Sequence, residues 1–322
     1  MTSPAPSSPP PPTRLTARTP EDLIAMVPLV LGFQATDSVV LLTFGGSRPF
    51  HARIDLPDSA AHDEQTVAAL LGPARQHRVR TAALVVQADE DRAAAARRLG
   101  RRLVPAFQRA GIDVVDALRA DGHRWHPLLP GRRPRVPEWG VPYDLSCHPF
   151  TAQAVFDGRA LLGSREELAR GLDPDRDGVA AVAALLPGAV PARPGEAADL
   201  VAAHLGVGRV PDADLARLLL GLRDLAVRDA AWASVRRPGA HDHVRLWTDA
   251  VRRAPAQVLG GPAALLAVTA WAAGDGALAW CAVDRCQAVD PGNSLARLVS
   301  DALQHAVPPS MFEGEGPAGP GR

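Results

Sequence analysis

The chain has 322 residues, 47% hydrophobic and 22% charged, enough for about two domains with true cores and too apolar for a disordered protein. Its 35 cations balance its 35 acids, so no net charge draws it toward nucleic acid or acidic lipid, although a local basic patch is compatible with that balance. Every cation is arginine, and the absence of lysine excludes a P-loop lysine, a kinase-type phosphate lysine and Schiff-base chemistry.

Residues 1–18 are rich in proline and serine and are expected to form a disordered tail, as are residues 308–322. The first segment lacks the charged and apolar regions of a signal peptide. No apolar run approaches the roughly 20 residues that a membrane span needs. Cys147, Cys281 and Cys286 make no disulfide framework, because the last two lie about 140° apart on an expected helix. A reduced, cytoplasmic protein is the expectation.

Order is predicted to begin at Thr19, where Thr19-Pro20-Glu21-Asp22 supplies a capping hydroxyl, a first-turn proline and two acids. Leu23, Ile24, Val27, Val30 and Leu31 follow at helical spacing, with Gly32 to close the helix and Pro28 to kink or shorten it. Ser38 to Phe44 reads as a strand buried on both faces, and Gly45-Gly46-Ser47 as a turn. In the strand that follows, Phe50, Ala52, Ile54 and Leu56 point one way and His51, Arg53 and Asp55 the other.

Next come a helix over 60–77, a strand over 81–86, a helix over 89–109 and a strand over 112–118. That alternation predicts parallel crossovers after an antiparallel first hairpin. Asp121-Gly122 signals a hairpin into Arg124 to Leu128. After an irregular stretch from Pro130 to Pro149, helices are expected around Ala152 to Phe156 and Ser164 to Gly171, the second opened by a Ser164 capping box. After Pro187, a Pro/Gly-rich stretch with one short helix ends near Pro211, and a domain boundary is expected between Gly206 and Asp212.

The expected fold class is therefore α/β, a mixed sheet with helices on both faces over residues 19–206. A small all-α helical-repeat domain follows over residues 212–307. Trp247, Ala250 and Pro255 share their spacing with Val283, Cys286 and Pro291, and the two prolines lie 36 residues apart. This pattern resembles tetratricopeptide repeats, in which a bulky residue, a small one and a helix-ending proline recur about every 34 residues. The resemblance implies a helical hairpin over Pro262 to Pro291, turning at Gly274-Asp275, with Ala279 in its small packing position.

Several segments together resemble an actinobacterial family known as domain of unknown function 4192. They are Thr19-Pro20-Glu21-Asp22-Leu23, Leu31-Gly32-Phe33, Asp37-Ser38-Val39-Val40 and Arg53-Ile54-Asp55-Leu56-Pro57, then Ser164-Arg165-Glu166-Glu167-Leu168, Arg228-Asp229-Ala230 and the run from Ala270 to Ala279. The resemblance spans Thr19 to about Leu298 and implies no particular activity. Members carry a cysteine-containing segment after a central tryptophan. Here Trp125 is followed by Pro/Arg-rich sequence and the single Cys147, which leaves a cysteine-based role unsupported.

The candidate ligand-binding residues are Asp37, Ser38, Arg53 and Asp55. A polar face on an otherwise buried sheet has two readings: a wet edge strand with an Arg–carboxylate pair, or a clamp for an anionic ligand. His123, His126, Cys147 and His148 match no recognised zinc spacing and read as a histidine-bearing loop, so no metal is expected. Gly206-Val207-Gly208 lacks the third glycine of a dinucleotide site, and Gly-x-Ser-x-Gly does not occur. Arg97-Arg98 and Arg101-Arg102 form a basic stripe on the long helix.

These features predict a non-enzymatic interaction or regulatory module without a cofactor, binding a protein or small-molecule partner through the helical part or the junction between domains. No nucleic acid and no membrane is expected as partner. The alternative is a hydrolase or transferase acting on an anionic small molecule at the Asp37/Ser38/Arg53/Asp55 face.

Overall fold

The computed structural model describes residues 16–45, 50–128, 136–156, 164–207, 209–236, 239–305, 307 and 309. The two expected tails lie largely outside these residues, as do Gly46 and Ser47 of the first turn and Gly208.

Helix α1 (Pro20–Leu31) is opened by a reciprocal capping box: the Asp22 amide donates to the Thr19 hydroxyl, and the Asp22 carboxylate accepts from the Thr19 amide. Pro28 is accommodated within the helix, which runs on to Gly32, a left-handed cap at φ 80°. The sheet contains β1 (Ser38–Phe44), β2 (His51–Asp55), β3 (Thr81–Gln87), β4 (Asp113–Ala120), β5 (Arg124–Pro127) and β6 (Val141–Pro142) in the order β2-β1-β3-β4-β5-β6. β1 is antiparallel to both β2 and β3, while β3 and β4 are parallel. The chain crosses from β2 to β3 over β1, through α2 (Asp63–Gln76), and from β3 to β4 through α3 (Ala93–Arg109).

Period-two alternation sorts the sheet side chains into two cores. Val39, Leu41, Leu84 and Val86 pack with Leu70, Leu99 and Phe107 of α2 and α3, joined by Phe50, Ala52 and Ile54. Val40, Leu42, Ala83 and Val85 pack on the other face with Ile24 and Val27 of α1 and with Phe150 of α4 (Pro149–Phe156). Helices therefore cover both faces, and the alternation in β2 is as read from the sequence.

A third core unites the rest of the chain. It contains Leu172, Val182, Ala197 and Val201 together with Leu215, Leu219, Trp247, Leu265, Val283 and Val299. Thus α5 (Arg165–Arg170), α6 (Arg176–Leu185) and α7 (Pro194–His204) are followed by α8 (Asp212–Gly221), α9 (Leu225–Trp232), α10 (Ala240–Arg253), α11 (Gly260–Ala273), α12 (Gly276–Gln287) and α13 (Ser294–Gln304), and α6 packs on α8 and α10. The expected boundary between Gly206 and Asp212 falls inside this core. We propose that the division lies instead between Phe150 and Leu168. A fragment of residues 164–305 should then melt cooperatively by circular dichroism. A fragment starting at Asp212, deprived of Leu172, Val182 and Val201, should not. The opposite outcome would restore the later boundary.

Among the described residues no helix is long and apolar enough to cross a membrane.

Candidate functional site

The register places Ser38 between Asp55 of β2 and Gln87 of β3, all at the carboxyl ends of β2 and β3. Arg53 lies two residues before Asp55, on the same face. Its guanidinium pairs with the Asp55 carboxylate at 2.7 Å, donates to the Thr36 carbonyl at 3.4 Å and sits 5.9 Å from the centre of the buried Phe33 ring. The structure thus brings Ser38, Arg53 and Asp55 to one end and one face of the sheet. Asp37, exposed and at a left-handed φ of 39°, marks the entry to β1, and its carbonyl accepts from the Leu56 amide at 2.7 Å.

This arrangement is poor in free chemistry. β2 is the edge strand, and the Arg53 charge is already answered by Asp55. The Ser38 side chain is fully buried, and its hydroxyl has no hydrogen-bond partner among the described residues, so no base is placed to activate it.

At the same end of the sheet, on the α3 side, Arg119 of β4 is 1% exposed. It donates to the Asp89 carbonyl at 3.1 Å and to Glu90 Oε2 at 2.7 Å, and it lies 3.6 Å from Asp121. His126 Nε2 is 3.6 Å from Asp121, and Glu90, Asp121 and His126 bring three potential ligand atoms within 4.8 Å of one another. The cation that this group holds is Arg119. Burial would raise the Asp121 pKa, but amides from Arg124 and His123 and the charge of Arg119 outweigh it and hold the carboxyl low. Burial, and then the Arg119 charge, push the His126 pKa down. A third arginine, Arg92, repeats the pattern, donating to the Leu56 carbonyl and pairing with Asp58, both at 2.7 Å. Arg53, Arg92 and Arg119 therefore tie together the loops that leave the strands, each with its own acid.

His123, His126, Cys147 and His148 do not converge. His126 turns to Asp121, while His148 Nε2 lies 3.2 Å from Asp22 and its Nδ1 accepts from the Phe150 amide. Cys147 and His123 are exposed, and no three of the four bring ligand atoms together.

A concave site lies instead in the helical part, in a recess of about 410 Å³ where α8, α9, the start of α11 and the α12–α13 loop meet. Leu222, Leu225, Val258 and Val289 supply apolar surface, Leu225 being 62% exposed. Arg223 and Arg228 supply positive charge, and Asp290, beside the first turn of α11, supplies negative charge. Two glycines set the shape. A Cβ on Gly261 would come 2.8 Å from Leu222 Cβ, and one on Gly260 2.9 Å from Asp290 Cβ, so α11 can approach both walls only without side chains there. Arg228 is held by Asp229 at 2.8 Å and donates to the Ser294 hydroxyl at 3.0 Å, whereas the Arg223 side chain has no partner among the described residues.

Residues 20–310 match the model of a protein family described as "Domain of unknown function (DUF4192)". The chain belongs to that family. No curated protein matches it, and no solved structure does. The DUF4192 match takes in both the sheet and the helical part, so the sheet end and the recess are parts of the same family domain rather than of an appended segment.

No local run of sequence marks the recess. Its lining is drawn from positions scattered between Leu219 and Ser294, and the local signals, Gly260-Gly261 and the Asp290-Pro291-Gly292-Asn293 turn, read alone as ordinary helix punctuation.

Proposed function

We propose that this DUF4192 chain is a non-enzymatic binding module, and that the helical recess holds a small ligand with an apolar body and an anionic group. The observation that carries this reading is the recess itself. Its volume lies in the range of small-molecule sites, its surface is partly apolar, and of its charged lining residues, Arg223, Arg228 and Asp290, the Arg223 side chain has no partner among the described residues. Nothing comparable supports the enzyme alternative at the Asp37/Ser38/Arg53/Asp55 face, where the arginine is paired and the hydroxyl is enclosed.

The test is thermal denaturation against a panel of apolar carboxylates and phosphate monoesters. A specific ligand at about 100 times its Kd stabilises by about 2.7 kcal/mol, a rise of several degrees in Tm. Gly292 lines the recess, and a Cβ there meets only Asp290 Oδ1, at 3.9 Å, so Gly292→Trp should obstruct the site without disturbing the fold. The rise should vanish in Gly292→Trp and persist in Arg53→Ala. The reverse pattern would move the ligand to the sheet face and revive the enzyme reading.

The α11–α12 hairpin is read, as part of the same proposal, as a tetratricopeptide-like unit. Its turn has Gly274 at φ 87° and Asp275 accepting from the Leu278 amide at 2.9 Å, and Ala279 is fully buried. Leucine at Ala279 adds three heavy atoms to that crossing and should cost about 1–3 kcal/mol in urea denaturation. Asp284 is exposed and pairs only at the surface, with Arg165, so alanine there should cost within about 0.5 kcal/mol. A neutral Ala279→Leu with a severe Asp284→Ala would show that the register is wrong.

A further inference from the structure

The basic stripe on α3 divides in two once the helix is in place. Arg98 turns inward to Asp63, fully buried at the start of α2, with bonds of 2.9 and 3.2 Å. Arg102 reaches the same carboxylate and Glu64, both at 3.5 Å. These two arginines hold α3 against α2. Arg101 and Arg109 of α3, with Arg75 of α2, are exposed, and their side chains form no ion pair or hydrogen bond with any described residue. Together with Arg102 they line a groove of about 730 Å³ between the two helices, in which Glu64 is the one acid. In a chain of zero net charge, this is a local excess of cations that the fold does not use.

Between the arginines the groove is apolar, with Val67 and Leu71 of α2 facing Pro105 and Ala106 of α3. From Arg101 to Arg109 the helix rises about 12 Å, roughly two turns. We propose that this groove docks an acidic, amphipathic peptide segment of a partner protein, whose apolar side chains cover Val67, Leu71 and Pro105 and whose carboxylates meet Arg75, Arg101 and Arg109. The floor decides between anionic partners. A nucleic-acid backbone has no apolar surface to set against Val67 and Leu71, and no aromatic side chain lines the groove to stack a base. Carboxylates on an amphipathic helix match both the floor and the walls. The site lies on the sheet domain, apart from the helical recess, and stands or falls independently of the ligand proposed there.

The probe is a fluorescently labelled amphipathic helix of leucine and glutamate, titrated with the full chain and followed by anisotropy. Saturable binding should weaken by at least about tenfold in the triple variant Arg75→Glu/Arg101→Glu/Arg109→Glu, and it should weaken as salt rises. The three arginines are exposed and unpaired, so the variant should melt with the wild type. A polyglutamate of equal charge should bind at least about tenfold more weakly, because it cannot cover the apolar floor. No binding of the amphipathic peptide, equal binding in the triple variant, equal affinity for polyglutamate, or tighter binding of a poly-dT oligonucleotide through the same arginines would each overturn the proposal.

Discussion

Replacing Arg253 with alanine should destabilise the helical part by about 3–5 kcal/mol, the largest single effect expected in this chain. The side chain is 1% exposed, yet its guanidinium is a hub. It donates to the Val210 carbonyl at 2.9 and 2.5 Å and to Asp212 at 2.9 Å, and its Nε lies 3.1 Å from Asp249. Val210 and Asp212 lead into α8, and Asp249 belongs to α10 itself. α6 packs on the stem so closely that a Cβ on Gly178 would come 2.7 Å from Arg253 Cγ. Three helices are thus fastened through one planar cation. Alanine would leave the Val210 carbonyl without its donor and take from Asp249 the nearer of its two ion-pair partners, leaving Arg209 at 3.3 Å. The burden on Asp249 is already visible, since burial raises its pKa against the pull of Arg253. Lysine should not rescue, because one ammonium cannot serve the carbonyl and both carboxylates with the reach of a guanidinium fork. Urea denaturation of the two variants measures this directly. A loss below about 1 kcal/mol in Arg253→Ala would mean that the hub is dispensable.

Acid should weaken the sheet domain in a window set by His51. Burial pushes its pKa from the ordinary 6.5 down to about 4, and its Nδ1 accepts from the Thr43 amide at 3.4 Å, a role open only to the neutral ring. The unfolded chain takes up the proton near pH 6.5 and the folded chain only near pH 4. Stability from this residue is therefore complete above pH 6.5, declines as the pH falls through that interval and levels off below pH 4. The full loss is up to about 3 kcal/mol. Burial also depresses His126, which contributes in the same direction, and His243 of α10, which does so for the helical part. The decisive quantity is the difference between the wild type and His51→Gln. It should change between pH 6.5 and 4, and a difference independent of pH would remove His51 as the cause.

The parts of this architecture legible in the sequence are those that follow from short-range periodicity. The Thr19 cap, the inward run of β1 and the two faces of β2 each depend on residues within a few positions, and Ser38, Arg53 and Asp55 emerge on one face because a strand alternates. Of the two readings that the sequence offered for that face, the structure shows the edge strand with its Arg53–Asp55 pair, because β2 ends the sheet and the two side chains lie two residues apart on one face. Helix α6 went unread because its inward residues are mostly alanine and valine behind Asp173-Pro174-Asp175, a sequence that looks like a linker until Asp175 caps it by accepting from the Gly178 amide at 3.3 Å. α6 and α7 carry Val182 and Val201 into the helical core, which is the basis for the earlier boundary proposed above. The stripe of arginines on α3 was visible, but not its division. Only the position of Asp63 on the neighbouring helix separates Arg98 and Arg102, which serve the fold, from Arg97 and Arg101, whose side chains pair with no described residue. The recess needed the tertiary meeting of α8, α11 and the α12–α13 turn.

Native mass spectrometry of the full chain purified from its own cells tests the central claim, that the helical recess holds a small ligand. The wild type should carry a stoichiometric adduct of small-molecule mass that is absent from Gly292→Trp and retained in Arg53→Ala. A wild type that flies only at its bare chain mass, or an adduct that survives Gly292→Trp and is lost from Arg53→Ala, would contradict it.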